Sequence, residues 1–65
     1  MIGEKLRNAR GTRSQKEVAN ALGISVSALS MYETEERLPR DDIKVRMANY
    51  YGTTVGYLFF DEKVQ

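Results

Sequence analysis

The sequence has no cysteine and no histidine, and its 65 residues carry a formal net charge of only +1. Without cysteine there is no disulfide framework, and without either residue there is no usual zinc site, so helix packing must hold so small a chain together. The same two absences remove the usual bases, nucleophiles and metal ligands. The acids that stand in pairs, Glu35–Glu36 and Asp41–Asp42, fall in a loop and at a helix start, where solvation and capping account for them. No catalytic constellation, metal site or cofactor is therefore expected, and the chain does not read as an enzyme. A long apolar run is also missing, and Lys5 and Arg7 charge the N-terminus. Neither a membrane span nor a signal peptide is expected, which makes the chain read as cytoplasmic.

What is present is enough for one domain over residues 1–65. Hydrophobic residues make up 42% of the chain, but a domain of this size buries only about 60% of the surface its unfolded form exposes, so every apolar face counts. The apolar spacing is helical throughout. Ile2, Leu6 and Ala9 repeat at i, i+4 and i+7 and mark a first helix ending near Gly11. Ser14 stands three positions before Glu17, the spacing of a reciprocal capping box. Val18, Ala19 and Leu22 follow as one stripe until Gly23 supplies a left-handed terminator. Ser25 can cap a third helix, with Leu29 and Tyr32 on one side and Val26, Ser27, Ser30, Met31 and Thr34 on the other. Beyond the polar loop Thr34 to Leu38, Pro39 suits a helix start, Asp41 and Asp42 complement the dipole of its first turn, and Gly52 ends it after Ile43, Met47, Tyr50 and Tyr51. Thr54 caps a short fifth helix carrying Val55 and Leu58. There are no repeats, linkers or low-complexity tracts.

Charge is unevenly spread. From Met1 to Glu17 five basic residues (Lys5, Arg7, Arg10, Arg13, Lys16) stand against two acids, Arg37, Arg40, Lys44 and Arg46 form a second basic group, and Val18 to Tyr32 holds no charge. A neutral presented helix between basic flanks suits a nucleic acid, with phosphates gripped at the flanks and bases meeting the helix. An ordinary solvated helix face carries Lys and Glu more often than Val, Ser and Met. The face also lacks Arg, Lys, Asn and Gln, so few strong hydrogen bonds to bases are expected and shape carries more of the recognition.

At Ser14 to Glu33 the chain resembles the Cro and phage-repressor family of helix-turn-helix regulators: Gln15 opens the unit, Ala19 sits at the tight helix crossing, Gly23 makes the turn and Leu29 locks the second helix. The likeness extends over Tyr32–Glu33, Arg37 to Pro39 and Ala48 to Leu58. It implies an all-α bundle of five short helices, a lambda-repressor-like DNA-binding domain with its helix-turn-helix at about 14–33. It further implies a regulator of the repressor kind in bacteria or phages that binds double-stranded DNA as a homodimer on a palindromic operator. Val26, Ser27, Ser30 and Met31 would then contact bases. Gln15, at a helix N-terminus, would bond a phosphate, joined by Lys16, Thr34, Arg37, Arg40 and Lys44. Arg10 and Glu33 would pair, bringing helix 1 and the recognition helix together where Leu6 and Ala9 meet Leu29 and Tyr32. Phe59 and Phe60 cannot both point inward from one short helix, which makes Tyr57, Phe59 and Phe60 the expected dimer contact.

Two positions depart from the family pattern. Arg13 stands in a shortened first link where an apolar residue is usual, and Glu35 replaces a common glycine. The acids at 35 and 36 read as pointing to solvent. They also sustain a second reading, a protein-interaction module of the same fold, such as an antitoxin, antirepressor or co-regulator.

Overall fold

The computed structural model describes residues 2–60, five helices in chain order: α1 (Ile2–Arg10), α2 (Gln15–Leu22), α3 (Val26–Glu33), α4 (Asp41–Tyr51) and α5 (Val55–Phe59). No strand occurs among the described residues, and none of these helices is long and apolar enough to cross a membrane. The caps are where the sequence places them. Ser14, Ser25 and Thr54 each accept the backbone N–H three residues on, from Glu17, Ala28 and Tyr57 respectively. Only the Ser14 half of the expected capping box forms among the described hydrogen bonds. Gly23 ends α2 at φ 73°, a conformation that costs glycine nothing and turns the chain straight into α3. Pro39 differs from expectation: it is buried, but it precedes the N-cap Arg40 and is not in the first helical turn.

Leu6, Val18, Ala19, Leu22, Leu29, Ile43, Met47, Ala48, Leu58 and Phe59 form the core, with α1 against α3 and α5, α2 against α3 and α4, and α4 against α5. Ala19, with 1% of its surface exposed, leaves room for the close crossing of α2 and α3. The aromatic pair at the C-terminal end divides as its spacing requires. Phe59 enters the core at 6% exposure and Phe60 stays 62% exposed.

The shortened first link is held by its own arginine. Arg13 donates to the last carbonyls of α1, Nε to Arg10 O at 3.1 Å and Nη2 to Ala9 O at 2.8 Å, while its guanidinium lies over the rings of Tyr50 and Tyr51. Its planar face packs where an apolar side chain is usual, and its N–H groups terminate the helix.

Candidate nucleic-acid interface

α3 buries a single apolar side chain, Leu29, and one carboxylate, Glu33. Leu29, with the half-buried Tyr32 packed beside it on the core, leaves much of the helix's orientation to the polar anchor at its C-terminal end. Glu33 is 2% exposed, and Arg10 meets it with two nearly parallel hydrogen bonds, Nε to Oε2 at 2.8 Å and Nη2 to Oε1 at 3.1 Å. The bond to Glu33 raises the Arg10 pKa above its usual value, against the opposing effect of burial, so the guanidinium is charged at every pH of interest. Arg7 donates to the Glu33 carbonyl, and Gln15 Nε2 donates to Glu33 Oε1 at 3.0 Å. The pair expected from the resemblance is thus brought together, inside a larger cluster that joins α1, α2 and α3.

Glu35 is exposed, as expected, and it also makes a contact with α1. It takes φ 65°, the left-handed conformation that explains a glycine preference here, and its Oε2 accepts the Gly3 N–H at 3.2 Å. The carboxylate sits at the start of α1, where the helix dipole and a free N–H both favour it. Gly3 is needed for this approach, since a Cβ there would overlap the Glu33 carbonyl oxygen and press on Glu35. Glu36 is likewise engaged, its Oε1 accepting from the Thr34 hydroxyl at 2.9 Å.

The expected base-contacting face is graded. Val26 is 43% exposed and Ser27 is exposed, whereas Ser30 and Met31, nearer the anchored end, are half-buried. Beside Val26 opens a groove of about 590 Å³ between α2 and the start of α3, lined by Lys16, Glu17, Asn20, Ile24 and Ser25 among others. Asn20 is exposed there. Sequence reading passed over it, though its position two residues before Leu22 on the stripe's far side already placed it outward, and it supplies an amide that α3 lacks.

The expected phosphate contacts separate. Lys16, Arg37 and Arg40 are exposed, with Arg40 3.9 Å from Asp42. Lys44 is placed differently from these three: its side chain is 15% exposed, lying over the rings of Phe59 and Phe60 and 3.8 Å from Asp41. The Thr34 hydroxyl is exposed and lies within hydrogen-bond reach of Glu36 Oε1 at 2.9 Å and Met31 O at 3.3 Å. Phe59 leaves the dimer contact for the core. Tyr57 and Phe60 stay outside, Tyr57 under the Lys5 ammonium, together with Leu38, an exposed apolar residue that sequence reading did not single out.

Much of the basic charge is used internally. Lys5 donates to Tyr57 O, Arg13 to Ala9 O and Arg10 O, and Arg46 to Leu22 O at 2.7 Å, each a cation on the closing carbonyls of a helix.

Residues 4–58 match the family described as "Helix-turn-helix". The HTH-type transcriptional regulator ImmR of Bacillus subtilis (strain 168) is 34% identical over 65 aligned positions, which cover 97% of this chain and 51% of that protein. The chain therefore spans about half the length of this relative. No solved structure matches it at the same stringency.

Proposed function

Since the chain belongs to the Cro-type helix-turn-helix family, we propose that it binds double-stranded DNA as a transcriptional regulator, the role named for its Bacillus relative. The observation that carries this reading is the uncharged, open N-terminal half of α3, held at a fixed angle by the buried Glu33 cluster and flanked by the exposed cations Lys16, Arg37 and Arg40. In this reading α3 enters the major groove. Val26 and Met31 touch thymine methyl groups, Ser27 and Ser30 bond base edges, and Asn20 contributes from the groove beside them. Phosphates are held by Lys16, Arg37 and Arg40 and at the N-terminus of α2 around Gln15. Phe60, Tyr57 and Leu38 cover one another's counterparts in a homodimer that binds paired half-sites and represses by occupying an operator.

Selection of duplexes from a random pool, followed by a salt titration on the selected site, tests this. Three phosphate-binding cations per protomer set a log–log slope of about −3 for a monomer and −5 to −6 for a dimer. Arg37→Ala or Arg40→Ala flattens the slope by about one unit per protomer. A slope near zero with no enriched duplex would instead favour a protein-binding module using the exposed apolar residues.

A further inference from the structure

α2 is an eight-residue helix whose first turn presents N–H groups without helical partners. Glu17 N–H is satisfied by Ser14 Oγ at 3.0 Å, and the regular helical bonds begin with Val18 N–H on Ser14 O at 3.1 Å. The N–H groups of Gln15 and Lys16 have no partner among the described residues. Gln15 sits at this end, yet its side-chain amide is turned to the interior, where Nε2 shares Glu33 Oε1 with Arg10. A primary amide has two N–H hydrogens. One is directed at Glu33 Oε1, and the other has no hydrogen-bond acceptor among the described residues.

We infer that Glu33 is a positioning residue for the DNA phosphate, acting through Gln15. This inference rests on the DNA-binding reading above. The carboxylate holds the Gln15 amide in one orientation, so the second Nε2 hydrogen is offered to a phosphate oxygen along with the Gln15 and Lys16 backbone N–H groups, without the loss of side-chain freedom that a mobile glutamine would incur on binding. A carboxylate beside a phosphate site would ordinarily repel the ligand. Here Arg10 neutralises it with two hydrogen bonds. Glu33 is also the last residue of α3, so one side chain sets both the angle of the reading helix and the aim of the phosphate contact, and the two are tied across 18 residues of sequence.

The test compares Gln15→Ala in two backgrounds, the wild type and Arg10→Met/Glu33→Leu. The apolar pair removes the acceptor while leaving no buried charge unpaired, a replacement that commonly preserves folding. Affinity for the selected duplex is measured where circular dichroism shows each variant folded. Gln15→Ala should weaken binding about 10-fold in the wild type and no more than about 2-fold in the apolar background, because the amide there is already unoriented. Equal losses in both backgrounds would overturn the proposal. If the apolar variant does not fold, the side-chain amide resonances of Gln15 in the wild type decide. On adding duplex, the hydrogen bonded to Glu33 should keep its shift and slow exchange while its partner moves. Loss of the Glu33-bonded hydrogen, or no movement of the other, overturns the inference and leaves DNA binding intact. Absence of duplex binding by the wild type, seen before any variant is made, overturns both.

Discussion

At its C-terminal end α3 is tied to the molecule by Arg10 and Gln15 on the Glu33 carboxylate and by Arg7 on the Glu33 carbonyl; at its N-terminal end it has the Ser25 cap and an exposed Val26 and Ser27. The two ends are under three turns apart. One end is specified by charge and hydrogen bonds that have no alternative partner, so it fixes geometry. The other makes few demands on the fold, so its residues are free to be chosen for what they touch. A helix with only Leu29 in the core has to be held in this way, because apolar packing that immobilised it would also cover the surface to be presented.

The sharpest way to break this contrast is to remove one member of the anchored end. Arg10→Ala leaves the Glu33 carboxylate buried with only Gln15 beside it, and stranding a buried charge costs about 3 to 5 kcal/mol. For a domain of this size that is a fall of roughly 15 °C or more in thermal midpoint, measurable by circular dichroism. Arg10→Met/Glu33→Leu should recover most of the loss. A single-mutant cost below about 1 kcal/mol, the range of exposed pairs, would show that the anchor is not shielded.

Gly3→Ala attacks the same end from α1. The added Cβ would overlap the Glu33 carbonyl oxygen and crowd Glu35, so alanine, the better helix former, should destabilise by about 1 to 3 kcal/mol. A midpoint equal to or above the wild type in a thermal melt would mean that the α1 contact yields easily.

Tyr51, on the α4 side of the Arg13 link, sharpens the comparison in the opposite direction. Its hydroxyl is buried with no hydrogen-bond partner among the described residues, and burial, aided by the Glu33 charge and opposed by Arg13 and Arg10, pushes its pKa up to about 12. The folded state therefore keeps the proton longer than the unfolded chain, so stability is intact below pH 10 and is lost as the pH rises from 10 to about 12. With the residue only partly buried as a whole, the loss is of order 1 kcal/mol. Tyr51→Phe should be about 1 kcal/mol more stable at pH 7 and should lose less stability over that alkaline window in denaturant titrations.

These outcomes bear on what was legible beforehand. Helix caps act over three residues, so Ser14, Gly23, Ser25, Gly52 and Thr54 stand out in the sequence, and with the apolar spacing they place all five helices. The anchored end was only half legible. The Arg10–Glu33 pair came with the family resemblance, but Gln15 on Glu33, Glu35 on Gly3 and Arg13 over Tyr50 and Tyr51 join residues 18 to 38 positions apart. No local pattern encodes such partners, because they follow from how α1, α2 and α4 pack in three dimensions. For the same reason Lys44 read as a surface cation until α5 was seen to cover it.

The smallest effect on stability is expected at the open end, and it is the one that separates fold from recognition. Ser27 is exposed in the first turn of α3 and makes no described side-chain hydrogen bond, and alanine is the better helix former. Ser27→Ala should therefore leave the thermal midpoint within the equivalent of about 0.5 kcal/mol of wild type. If its hydroxyl bonds a base edge, the duplex enriched by the variant should differ at one position per half-site, with a discrimination of about 1 kcal/mol or more lost there and the salt slope unchanged, since no phosphate charge is involved. Met31→Ala should act the same way at a neighbouring position, with a larger stability cost because Met31 is half-buried. If both variants enrich the wild-type duplex, the readout does not run through this face. The groove at Asn20 would then be the surface to mutate next, since Asn20→Ala removes the exposed amide nearest to Val26 without touching the Glu33 anchor.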